Sequence, residues 1–175
     1  CFGSVNVVNS GQVSCGMRIV LKYAAQKLSE GATAKEVITT INSIQGGIKA
    51  EFLLDSIEPF YENGFVGKRK KIIFEALNLH PILIVKRCSL HIRSFMVGDF
   101  EKARVRFVKR TVKRLKGRPI SDINISHSGI PVKEQELIAA IIEKNVNCDD
   151  FVIEKSSVTN ACISGPGTIG IATYI

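Results

Sequence analysis

An α/β fold with a mixed six-stranded sheet is predicted from three observations. Short apolar runs of strand composition alternate with longer stretches in which apolar residues return every three or four positions. Six such runs fall within residues 48–175, beside at least three long helical stretches. Several of the runs follow one another with no helix-length segment between them. Parallel neighbours need a long crossover, so the sheet is expected to be mixed, with helices mainly on one face.

The elements are expected in the following order. Residues 5–8 read as a short strand, closed by the turn-forming Asn9-Ser10-Gly11. Between 13 and 28, Met17, Val20, Leu21, Ala24 and Leu28 share a helical face, and Gly31 sits where glycine ends helices. Thr33 and Glu36 have the spacing of a capping box, so a second helix should run to Gln45 before Gly46-Gly47 stops it. These first 47 residues form a strand–helix–helix unit too small to close its own sheet, and a boundary is placed near 46–49, dividing the chain into 1–47 and 48–175. Strands are then expected at 50–54, 81–85, 90–97, 123–126, 151–153 and 169–175. Pro81 suits the first position of a strand. Helices are expected at 56–61, with Ser56 as cap, at 66–77, at 99–116, and from Pro131 to Lys144, proline being favoured at a helix start.

Composition narrows the function classes. Hydrophobic residues make up 45% and charged residues 23%, the balance of a globular domain and not of a disordered chain. No apolar run approaches the roughly 18–20 residues that span a bilayer. Cys1-Phe2-Gly3-Ser4 has no basic segment leading into an apolar one, so no signal peptide is expected. The five cysteines are odd in number and form no CxxC pair, which fits free thiols in a reducing, cytoplasmic setting. His80, His91 and His127 have no partner at metal-ligand spacing, and no metal is expected. The net charge of +8 is concentrated in Lys102, Arg104, Arg106, Lys109, Arg110, Lys113, Arg114, Lys116 and Arg118. Interleaved apolar residues make this an amphipathic helix with a basic outer face. Such a face is either solvated, or docks nucleic acid or an acidic partner.

Three stretches carry potential chemistry. Ser164-Gly165-Pro166-Gly167-Thr168 allows a tight turn whose N–H groups and hydroxyls form an anion-binding nest, or simply a structural turn. Ser10, Ser14 and Gly16 lie where a strand end meets a helix start, a position that favours anions unless Ser14 serves only as cap. His127 and Ser128 at a strand end invite a hydrolase reading, but sequence neighbours rarely form a triad and the GxSxG elbow is absent.

Taken together and in order, several segments resemble the DegV family. They are Val7-Val8-Asn9-Ser10 with Val13-Ser14-Cys15-Gly16-Met17, the helix start from Gly31 to Ile38, and Phe52-Leu53-Leu54-Asp55-Ser56-Ile57-Glu58 with Asn63-Gly64-Phe65-Val66-Gly67. Leu79-His80-Pro81-Ile82-Leu83, Ser126-His127-Ser128-Gly129 and the closing Ser164-Gly165-Pro166-Gly167-Thr168-Ile169-Gly170 complete the set. The resemblance implies the end of a parallel α/β/α domain at 1–47, followed at 48–175 by a two-layer second domain with a mixed six-stranded sheet. It also implies a cytoplasmic, non-enzymatic lipid carrier with no cofactor, binding a long-chain fatty acid and presenting its carboxylate to a partner kinase. Nucleic acid is not expected as a partner.

On that resemblance the head-group site is expected at Ser10, Ser14, Gly16, Arg18, Ile163, Ser164, Gly165, Pro166 and Gly167. Candidates for the acyl slot are Phe52, Leu54, Ile84, Phe95 and Ile125. Two positions depart from the family pattern. Ile163 stands where a histidine often contacts the carboxylate, and Arg18 stands where a small residue is common.

Overall fold

The structure, a computed structural model, describes residues 5–175, so the Cys1–Ser4 reading falls outside it. Two helices come first, α1 (Cys15–Ser29) and α2 (Ala34–Ile44). There follow β1 (Ile48–Leu53), α3 (Glu58–Glu62), α4 (Lys68–Ala76), β2 (Leu79–Lys86) and β3 (Ser89–Val97). The rest comprises α5 (Phe100–Leu115), β4 (Ile120–His127), α6 (Val132–Asn145), β5 (Cys148–Lys155), α7 (Val158–Ser164) and β6 (Ile169–Tyr174).

The six strands form one sheet in the order β3-β2-β1-β6-β4-β5. Only β4 and β5 run parallel, with α6 as their crossover, and the other four pairings are antiparallel. The sheet is therefore mixed, as expected.

Alternation along the central strands makes both faces apolar. Leu53, Ile123, Ile125, Ile169 and Ile171 face α5 and α6, where Phe107, Val108, Ile138 and Ile142 complete one core. Ile48, Ala50, Phe52 and Ala172 face the other way, against Cys15, Ile19 and Val20 of α1 and Ile41 and Ile44 of α2. The two longest helices of segment 48–175, α5 and α6, thus share one face, and the opposite face is covered by α1 and α2 together with Phe60 of α3 and Phe74 of α4. At Gly170 the missing side chain is what admits Phe52: an added Cβ would stand 2.6 Å from its ring.

Local signals hold in part: Pro81 is the third residue of β2 and not its first, and α3 begins at Glu58 with Ile57, not Ser56, at its cap. The Thr33 hydroxyl accepts from the Glu36 amide while the Glu36 carboxylate accepts from Thr33, a complete capping box. Two elements differ from expectation. Residues 5–8 are not a strand; Val5 and Val7 are 85% and 94% exposed, and a strand needs a neighbour to bond with. The unforeseen α7 is short and carries β-branched Val158, Thr159 and Ile163. Ser157 starts it by accepting from the Asn160 amide at 3.3 Å.

Candidate functional site

On the α1 side of the sheet lies a cavity of about 250 Å³. Its walls are apolar: Phe52 and Leu54 at the end of β1, Leu83 of β2, Leu90 of β3, Phe60 of α3, and Val13, Phe65 and Ile163. Ser14, Ser126, Ser156, Asn160, Ser164 and Thr168 supply the only polar side chains, and none is charged. The cavity adjoins open depressions on two sides. One, of about 640 Å³, shares Val13, Phe60, Phe65 and Leu90 with it. The other, of about 720 Å³, shares Ser14, Ser126, Ser156 and Asn160 and is bordered by Arg18, Lys22 and Lys155 as well as Asp150 and Glu154. The result is an elongated slot, greasy at its centre, with hydroxyls at one end.

The hydroxyl end is built by α1 and β4. Ser14 precedes α1 with φ 51° and ψ −123°, a region costly for a residue with a side chain. Its Oγ lies 2.9 Å from Ser126 Oγ and makes no bond to the helix. The first turn of α1 therefore keeps N–H groups without a side-chain cap beside this end, where the helix dipole favours negative charge.

Beneath Ser14, Cys15 is fully buried, and burial pushes its thiol up from 9.0 to about 12, opposed by a hydrogen bond with Ser126. Tyr23 is likewise pushed from 10.0 to about 12 by burial, then by its bond to the Asp122 carboxylate at 2.8 Å. Both groups stay protonated in the folded chain at a pH where the unfolded chain has ionised. The stability they support is thus present in full below about pH 9 and declines as pH climbs towards 12. Urea midpoints measured from pH 8 to pH 11 should be level at first and then fall, and Cys15→Ala should make the fall shallower.

The expected head-group residues divide between the slot and its surroundings. Ser14, Ile163 and Ser164 line the cavity together with the acyl candidates Phe52 and Leu54. Arg18 borders the polar depression, paired with Glu154 at 3.5 Å. Gly16 is buried in the first turn of α1, where an added Cβ would lie 3.4 Å from Ala50 Cβ and displace only the flexible end of Gln12. Ser10 bonds only to the Gln12 backbone. In the turn at Gly165-Pro166-Gly167, the Gly165 amide donates to Ala161 O at 2.9 Å and the Gly167 amide to Ser128 O at 2.6 Å. Proline has no N–H. The turn's glycine amides are thus spent within the protein, and the donors near this end of the slot are the first-turn amides of α1 and side chains such as Ser14, Ser126 and Asn160.

Three acyl-slot candidates lie elsewhere. Ile125 points into the α5–α6 core because its parity on β4 is opposite to that of Ser126. Ile84 lines a different cavity. Phe95 is 51% exposed on edge strand β3, 6.4 Å from the Phe74 ring. Sequence reasoning did not single out Phe60, Phe65, Leu83, Leu90, Ser156 or Asn160 as slot residues. They come from separate elements, and only the β2–β3 pairing and α7 bring them together.

The hydrolase reading finds no geometry. His127 is buried, and its Nδ1 accepts from the Ile130 amide at 3.1 Å. Burial, then the Lys155 charge, holds its pKa below the usual histidine value. Ser128 Oγ is buried without a hydrogen-bond partner among the described residues, so no bond joins it to His127. No cluster among the described residues is arranged to hold a metal. No described helix is long and apolar enough to cross a membrane. On α5, Lys102, Arg106, Lys109, Arg110 and Lys113 are exposed, whereas Arg104 turns inward to Glu134.

The family model described as "Uncharacterised protein, DegV family" matches residues 3–175. The chain belongs to the DegV family. A DegV domain-containing protein of Staphylococcus aureus (strain MRSA252) is 17% identical over 169 residues, covering 96% of this chain and 60% of the relative. One from Caldanaerobacter subterraneus is 22% identical over 171 residues, covering 95% and 59%. This DegV chain therefore spans about 60% of the length of such curated relatives. Among solved structures, a DegV family protein from Eubacterium eligens loaded with heptadecanoic acid superposes with a TM-score of 0.81 at 19% identity, covering 98% of this chain and 61% of that one. The Streptococcus pneumoniae fatty acid kinase B3 protein loaded with linoleic acid gives 0.82 at 16% identity, covering 98% and 60%. A fatty-acid-binding DegV protein from Thermus thermophilus gives 0.79 at 22%, covering 98% and 61%. At these identities the likeness shows a shared DegV fold.

Proposed function

We propose that this DegV protein binds a long-chain fatty acid, with the hydrocarbon in the slot and the carboxylate at the Ser14–Ser126–Asn160 end. The observation that carries this reading is the cavity itself: apolar, lined by no charged side chain, and ending at a cluster of hydroxyls. Each methylene taken from water contributes about 0.8 kcal/mol, so the slot supplies affinity while a few donors fix orientation. Just beyond the hydroxyls Arg18 pairs with Glu154 and Lys22 with Asp122 and Asp150, which leaves Lys155 as the cation there with no ion pair among the described residues to favour an anion. Ile163 adds no donor, so it serves the chain and not the head group. The DegV proteins loaded with heptadecanoic and linoleic acid support the ligand class.

In this reading the protein is a cytoplasmic acyl carrier without a cofactor, performs no reaction itself, and hands the exposed carboxylate to a kinase. The named fatty acid kinase B3 protein supports that last step. In the same reading segment 1–47 is the end of a first α/β domain, and its Val13 and Ser14 help to close the slot of the domain at 48–175.

A titration with hexadecanoic acid and with the corresponding alcohol tests the assignment. The acid should bind more tightly than the alcohol, and Ser126→Ala should cost the acid about tenfold or more, the worth of a hydrogen bond to a charged group. Equal affinity for acid and alcohol, unchanged in Ser126→Ala, would refute the placement of the head group.

A further inference from the structure

On the opposite face of the sheet a second cavity, of about 330 Å³, opens between β1, β2, β3 and the C-terminal end of α5. Its floor is apolar, with Ile84, Val85, Leu115 and Ile171, and its rim carries Lys49, Arg93, Arg114 and Arg118. Glu51 is the only carboxylate side chain among the lining residues. Four cationic side chains against one carboxylate leave a clear excess of positive charge among the lining residues.

These cations are not all consumed by the fold. Glu51 takes both Arg93 and Arg114, with Arg114 Nη1 on Oε1 at 3.0 Å and a second contact from Nη2 to Oε2. Thr111 Oγ1 accepts from Arg114 at 3.0 Å and holds the guanidinium against the helix. One carboxylate thus gathers two guanidinium groups at the mouth, each with further N–H groups free to donate. Arg118, just past the end of α5, is exposed and has no ion-pair partner among the described residues.

We propose that this second cavity binds a phosphate monoester with an apolar body. The charge excess suits a dianion better than a carboxylate, and guanidinium groups match the phosphate oxygens in geometry. The apolar floor gives the organic portion a surface that inorganic phosphate alone does not use. This site lies on the face away from the acyl slot and does not rest on the fatty-acid reading.

The test is calorimetric titration of the whole chain, at physiological salt, with phenyl phosphate, inorganic phosphate and benzoate. Phenyl phosphate should bind saturably and be the tightest of the three, with the others weaker by about tenfold, as the loss of one contact class implies. Arg118→Ala should weaken phenyl phosphate about tenfold; this side chain holds no ion pair, so the fold is retained. Lys113→Ala, on the outward face of α5 and outside the cavity, should leave affinity within about twofold. Absence of saturable binding, benzoate binding as tightly as phenyl phosphate, or equal losses from Arg118→Ala and Lys113→Ala would overturn the proposal, the last by showing diffuse attraction to a basic surface.

Discussion

Arg104→Ala is expected to lower the unfolding free energy by about 3–5 kcal/mol, the cost of stranding one half of a buried ion pair. Arg104 is 5% exposed, and its Nε and Nη2 each meet a Glu134 carboxylate oxygen at 2.6 Å. The guanidinium also stacks 4.7 Å from the Phe100 ring centroid and points Nη1 at Gly167 O, 3.5 Å away. This one side chain therefore ties α5 to α6 and to the glycine turn that follows α7. Removing it leaves the Glu134 carboxylate in a pocket shaped for a cation. Urea denaturation gives the measurement. The double variant Arg104→Met with Glu134→Leu should lose less than Arg104→Ala alone, because neither charge is then left without its partner. A loss below about 1 kcal/mol in Arg104→Ala would mean that the pair is solvated and contributes no more than a surface bridge.

Ile163→Trp is expected to reduce fatty-acid affinity more than 100-fold while leaving the fold intact. Ile163 is half-buried on α7 and lines the slot with Phe52, Leu54 and Leu83. An indole there takes up space that an acyl chain would fill. Excluding about four methylenes at ~0.8 kcal/mol each forfeits about 3 kcal/mol, which is more than two decades in the dissociation constant. Since the ring fills an existing cavity, the midpoint of thermal unfolding should hold or rise. The readout is displacement of a fluorescent fatty acid alongside a thermal melt. Unchanged affinity in a folded variant would place the hydrocarbon somewhere other than this slot.

Much of the fold was legible because local and long-range signals agree. The capping box at Thr33 and Glu36, the apolar run after Pro81 and the proline before α6 each specify an element without help from the rest of the chain. The stretch 5–8 has the same strand composition, yet forms no strand, because pairing is a property of neighbours and not of a segment. The helix α7 escaped notice for the converse reason: its residues are poor helix formers, and a serine cap starts it. Of the residues that line the candidate cavity, family resemblance and apolar pattern point to Ser14, Phe52, Leu54, Ile163 and Ser164. Ile125 went to the wrong side because alternation tells which residues share a face, but not which face meets the slot. The glycine turn drew attention for its amides. Those amides serve Ala161 and Ser128, and the turn's part is to hold Ser164 and Thr168 at the slot, with Thr168 Oγ1 donating to Ser164 O at 2.8 Å.

The most direct measurement is a crystal structure of this chain grown with hexadecanoic acid. Continuous ligand density should run between Phe52, Leu54 and Ile163, with carboxylate oxygens within hydrogen-bond reach of Ser14 or Ser126. A water-filled or collapsed slot, with the acid bound elsewhere or not at all, would contradict the account.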